Sequence, residues 1–107
     1  MNRKPIFSFL SLAAKAGKIT SGEFSVERSV KSGHSNFVII AEDASDNTKK
    51  MFDNMCKYYH VPLIYFGTKD ELGHCIGKQY RASLSIEDRG FAEGIMKKLG
   101  INGKMEV

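Results

Sequence analysis

Two short stretches of the chain combine residue types able to grip a polyanion. Ser21-Gly22-Glu23 stands where a helix should begin, a place where free backbone N–H groups point outward and a glycine permits close approach. Arg28 follows on the same helix, and its planar fork can pair with O6 and N7 of a guanine. The second stretch, Gly77-Lys-Gln-Tyr-Arg-Ala82, mixes Lys78 and Arg81 with Tyr80. Cations beside an aromatic ring suit phosphates and unstacked bases, the features by which folded RNA is held. Each piece also has a plain reading, Arg28 as a surface residue and Tyr80 as a packing residue.

No catalytic set assembles. Gly73-His-Cys-Ile-Gly77-Lys78 looks like a phosphate loop, but three residues separate its glycines where four are needed. Gln79 also stands where a Ser or Thr would hold magnesium. His34, His60, His74, Cys56 and Cys75 show no ligand spacing, and adjacent His74 and Cys75 point to different helix faces. Glu42-Asp43, just after a strand, reads more simply as helix capping than as a catalytic carboxylate pair. A small hydrolase built on Asp43 or Cys75 is the least supported reading. No enzyme activity, metal, cofactor or small-molecule substrate is therefore expected. The two cysteines form no C-x-x-C pattern and read as free buried thiols in a reducing cytoplasm.

Charge points the same way as the two stretches. Lys and Arg number 16 against 12 Asp and Glu, a net +4 over 107 residues. Residues 1–41 hold six basic and two acidic side chains, while residues 42–107 hold ten of each. A basic half set against a neutral half produces a polyanion-binding face; a merely soluble basic surface is the plain alternative. The longest apolar runs, 37–41 and 61–66, fall far short of the roughly 20 residues a bilayer needs. The start of the chain resembles an export signal in composition. However, Lys4, Ser8, Ser11, Lys15 and Lys18 recur at helical spacing opposite Ile6, Phe9, Leu10 and Ala13, which makes a surface helix.

These residues need elements to position them. The spacing predicts a first helix over 5–16, closed by Gly17, then a short edge strand over 18–20. Thr20-x-x-Glu23 matches a capping box for a second helix running to about Ser32, with Val26 and Val30 buried. Residues 37–41 form a strand covered on both faces, and 43–46 offer caps for a third helix with a stripe of Met51, Phe52, Met55, Cys56 and Tyr59. A strand over 63–66, a capping box at Thr68-x-x-Glu71, a strand over 82–86 and a helix capped by Asp88 complete the chain. Such alternation predicts a three-layer α/β/α sandwich around a small mixed sheet of about four strands. One domain over 1–100 and a flexible tail over 101–107 are expected.

Taken together, the chain resembles the kink-turn-binding ribosomal proteins, the L seven Ae and L thirty e superfamily, in its bacterial YlxQ-like branch. The resemblance rests on Leu12-Ala-Ala-Lys-Ala-Gly-Lys18, Ser21-Gly-Glu23, Phe37-Val-Ile-Ile-Ala-Glu-Asp-Ala-Ser45 with Asn47-Thr-Lys-Lys50, Val61-Pro62, Leu72-Gly73, Ile76-Gly-Lys78 and Asp88-x-Gly-Phe-Ala92. It implies an α/β/α sandwich, no catalysis, and binding to a sharply bent RNA element in which tandem sheared G·A pairs flank a bulge. Gly22 and the cation Arg28 fit the family's base-reading frame at the second helix. Phe24 and Ser25 replace an Asn and a Glu there; Ser25 can still form hydrogen bonds, whereas Phe24 is expected to turn into the core. The resemblance also implies that Lys69, Ser45 and Lys49 lie near the bulged nucleotide and the backbone, and that the loop of Lys78, Tyr80 and Arg81 is a second contact surface. Lys18 joins Lys15, Lys49, Lys69, Lys78 and Arg81 as expected phosphate contacts, Ser21, Gly22, Glu23 and Ser25 complete the expected site, and Arg28 discriminates bases. The expected partner is structured RNA, foremost ribosomal RNA, bound on or off the ribosome by a monomer without a membrane. A protein-interaction module that kept the fold and lost specific RNA binding is the alternative, motivated by Phe24.

Overall fold

The apolar stripes in the sequence supply the core and set the layers. Tyr59 departs from this: expected at the end of the third-helix stripe, it is 39% exposed because it lies in the last turn of that helix, at the edge of the core. The computed structural model describes residues 3–100, so the tail expected over 101–107 lies outside the described residues. Five helices, α1 (Lys4–Lys15), α2 (Glu23–Lys31), α3 (Asp46–Tyr59), α4 (Lys69–Cys75) and α5 (Arg89–Lys98), alternate with four strands. The strands are β1 (Ile19–Ser21), β2 (Phe37–Ile40), β3 (Leu63–Tyr65) and β4 (Ser83–Ile86), in the order β1-β4-β2-β3. β2 is parallel to β3 and antiparallel to β4, which is antiparallel to β1. The sheet is therefore mixed. Helices α1, α4 and α5 pack together on one face, and α2 packs with α3 on the other. This is the expected three-layer sandwich.

All four residues of β2 are fully buried, because helices cover the central strand on both faces. Phe37, Phe52, Leu10, Ile39, Leu72, Leu84 and Ile95 form the bulk of the core, and Cys56 and Cys75 are free and buried in it. Capping follows the sequence at three helices. Ser45 Oγ accepts from the Thr48 N–H, Thr68 and Glu71 form a reciprocal capping box, and Asp88 accepts from the Phe91 N–H.

Two further local expectations fail, both around α2. Thr20 does not cap α2; it lies in the middle of β1, paired with Ser85, and Gly22 is the N-cap with no side-chain bond. The cause is competition: the sheet ladder holds the Thr20 backbone extended, and the turn falls at Gly22, whose φ of 94° favours glycine. Nor does Phe24 enter the core; it is 71% exposed. Phe24 and the buried Val26 are two residues apart, just over half a helical turn, so they face opposite ways.

Candidate nucleic-acid interface

The strand directions decide which residues meet. Because β1, β2 and β3 run the same way and β4 runs against them, the ends of β1, β2 and β3 share one edge with the start of β4. The segments following β1, β2 and β3 and the loop preceding β4 therefore gather along that edge. Ser21, Gly22 and Glu23 arrive from β1, Ser45 and Lys49 from β2, Lys69 from β3, and Lys78, Tyr80 and Arg81 from the loop before β4.

Hydrogen bonds tie these segments together. The Gly22 N–H donates to the Ser83 carbonyl at 3.1 Å, and the Arg81 Nε donates to Ser21 Oγ at 3.2 Å. Arg81 is anchored further by its side-chain bond to the Tyr80 carbonyl and by its own N–H to the Lys69 carbonyl. The Lys69 N–H in turn donates to Asp43 Oδ1 at 2.8 Å. Asp43 is thus a capping carboxylate, but at the start of α4 rather than of α3. Neighbouring Glu42 pairs with Arg3 at 3.5 Å, so the adjacent carboxylates turn to separate structural partners.

Three of the expected site cations sit beside aromatic rings, two of them on this edge and one farther along α2. The Arg28 guanidinium lies 5.7 Å from the centroid of Phe24, Lys69 Nζ 5.8 Å from Tyr80, and Lys49 Nζ 5.8 Å from Tyr65. Tyr80 is 57% exposed, which makes it a surface ring rather than a packing residue. At the start of α2, the N–H groups of Glu23, Phe24 and Ser25 have no carbonyl one turn back and no side-chain cap. The edge therefore presents amide donors, cations and exposed rings together. Ser45 contributes less than its position implies, because its hydroxyl already caps α3 and meets Thr48 Oγ1 at 2.9 Å.

The sequence matches the ribosomal protein L7Ae/L30e/S12e/Gadd45 family over residues 4–95. The chain belongs to this family. It is 37% identical over 93 residues to the RNA-binding protein YlxQ of Bacillus subtilis (strain 168), covering 87% of this chain and 93% of that one. To the large ribosomal subunit protein eL8 of Picrophilus torridus it is 31% identical over 97 residues, covering 90% and 76% of the two chains. A solved structure of a protein with unknown function from Bacillus halodurans superposes with a TM-score of 0.85 at 33% identity, over 89% of this chain and 96% of that one.

Within the family fold, two of the expected residues stand apart from the loop edge. Lys18 lies at the opposite end of β1, where its carbonyl accepts from the Glu87 N–H. Arg28 lies more than a turn along α2, bridging back through Phe24. Sequence reasoning missed Tyr65 and Asp43 as parts of the edge. Tyr65 ends a strand that reads as core, so no sequence signal separates it from its neighbours. Asp43 reaches α4 only through the tertiary fold. Among the described residues no three His, Cys, Asp or Glu side chains gather as a metal site. No described helix is long and apolar enough to cross a membrane.

Proposed function

We propose that the protein binds structured RNA without catalysing a reaction, and that its target is a kink-turn-like element, foremost of ribosomal RNA. The observation that carries this reading is the convergence of Gly22, Lys49, Lys69, Lys78, Tyr80 and Arg81 on one loop edge, tied by the Arg81–Ser21 and Gly22–Ser83 hydrogen bonds. Membership of a family with relatives named as RNA-binding and ribosomal proteins supports it. The lysines and Arg81 orient the phosphate backbone, the amides of α2 meet the bend, and Arg28 discriminates bases. The protein acts as a monomer in the cytoplasm.

The test is a titration of the full chain with a kink-turn RNA beside a control whose sheared G·A pairs are replaced by Watson–Crick pairs, at physiological and raised salt. A preference for the bent element that persists in salt is expected. Equal, salt-labile binding to both RNAs would overturn the kink-turn assignment. The exposure of Phe24 favours a second reading, a protein-interaction surface at the same place. A stoichiometric protein partner retained after nuclease treatment and high salt, together with absent RNA discrimination, would support that reading instead.

A further inference from the structure

The outer side of α3 carries a row of exposed residues leading away from the loop edge. Lys50, Asn54, Lys57 and Tyr58 recur at spacings of four, three and one, on the side away from the buried Phe52 and Cys56. At the rise of an α-helix the row spans about 12 Å. Tyr58 closes it, 77% exposed, with the Tyr59 ring set edge-on at a centroid distance of 4.9 Å. The start of the helix, with Lys49, belongs to the loop edge; its end lies at the opposite end of the sheet.

The charge along the row has one sign. Neither Lys50 nor Lys57 makes an ion pair among the described residues. Asp53, the acid within this stretch, turns to the Tyr65 hydroxyl instead. A lysine in the last turn, as Lys57 is, also suits the negative end of a helix, but Lys50 lies nearer the positive end and gains nothing from the dipole. Two unneutralised lysines, an amide able to donate and accept, and an open ring match a polyanion that carries flat bases. A duplex keeps its base faces in its own stack, so the match is to an unpaired segment. Tyr58 separates this row from a plain basic surface, because phosphate contacts alone make no use of an aromatic face.

We infer that the outer row of α3 is a track for an unpaired RNA segment flanking the folded element, with Lys50 and Lys57 on its phosphates and one base stacked on Tyr58. The inference extends the proposed function and rests on it, since the row continues from the edge where Lys49 stands. It adds a second class of RNA structure, single-stranded rather than bent, and residues outside that edge.

The full chain is titrated with a blunt-ended kink-turn RNA, with the same RNA carrying an oligouridine extension at one end or the other, and with oligouridine alone. Amide shifts of the ¹⁵N-labelled protein are followed throughout. The extension is expected to tighten binding about tenfold, the scale of one base stacked on an aromatic ring. Tyr58→Ala removes that gain and leaves the blunt RNA within about twofold, whereas Tyr58→Phe keeps it. Lys50→Ala and Lys57→Ala each lower the salt slope by about 0.7, on the extended RNA only. Oligouridine alone shifts the amides of Lys50, Asn54, Lys57 and Tyr58. These side chains are exposed, so the variants are expected to fold. If bent and straight RNAs bind alike while oligouridine still shifts these amides and loses affinity in Tyr58→Ala, the kink-turn assignment falls and the row stands. An extension that adds nothing, a gain unchanged in Tyr58→Ala, or oligouridine shifts confined to the loop edge would overturn the inference. So would a stoichiometric protein partner that Tyr58→Ala dislodges while RNA binding is untouched.

Discussion

Arg28 and Lys78 are both exposed cations, yet their surroundings suit them to different tasks in the proposed RNA interface. Arg28 lies against the Phe24 ring and lines a groove, where its fork can be presented in a fixed direction. Lys78 projects from a loop whose backbone is anchored by its own N–H to the Gly73 carbonyl at 2.8 Å, leaving a flexible point charge in solvent. Arg28→Ala should therefore relax RNA discrimination, by about 1–3 kcal/mol if the contact is bidentate. Lys78→Ala should weaken all RNAs alike and reduce the salt slope by about one unit. Titrations of matched and mismatched RNAs across a salt series check both. Unchanged affinity in both variants would remove these residues from the interface.

At the scale of elements, one close approach holds the loop before β4, the second surface of the proposed RNA interface. A Cβ added at Gly73 in α4 would fall 2.2 Å from the Tyr80 Cα and 2.6 Å from its N, both backbone atoms that cannot rotate aside. Glycine at this position lets the segment of Lys78, Tyr80 and Arg81 lie directly on α4. Gly73→Ala should force that segment outward, lowering stability by about 1–3 kcal/mol and weakening RNA binding beyond what Lys78→Ala removes. Urea unfolding and the same titrations measure the two effects. Normal stability with full RNA affinity would show that the loop is not held by this contact. Capping at α4 was legible in the sequence because Thr68 and Glu71 satisfy each other within one turn. The similar Thr20-x-x-Glu23 pattern misled because a strand ladder, invisible locally, holds Thr20 extended.

Across the whole molecule, two buried thiols and one partly exposed tyrosine make stability fall in alkali. Burial pushes the Cys56 thiol up to about 12, and burial pushes Cys75 up to about 11. Tyr65 is likewise pushed up to about 12, first by burial and then by its hydrogen bond to the Asp53 carboxylate. Each group holds its proton more tightly in the folded chain than in the unfolded one. Their contribution is thus complete below the ordinary values, 9.0 for a thiol and 10.0 for the tyrosine, and is lost as pH rises through the folded values. The melting temperature should change little near neutral pH from these groups and decline from about pH 9 upward. Circular dichroism melts check this, and Cys56→Ala should lower the melting temperature throughout while flattening the alkaline decline. An alkaline slope identical in the variant would exclude Cys56 as a contributor.

Local patterning determined much of this protein before any folding was known. The apolar stripes of α1, α3 and α5, the fully apolar β2, and the caps at Ser45, Thr68 and Asp88 each depend on residues within a few positions of one another. The residue types at Gly22, Arg28 and the 77–82 loop likewise suit the proposed polyanion binding. Only the tertiary structure decided which of them meet. Strand order and direction place the ends of β1, β2 and β3 beside the start of β4, so Lys49, Lys69 and Arg81 gather while Lys18 falls at the far end of β1. The same packing turns Phe24 outward and sets Glu87 across a groove from Arg28. Those outcomes depend on contacts between residues some 60 positions apart, such as Arg81 with Ser21 and Ser29 with Glu87, which no local period encodes.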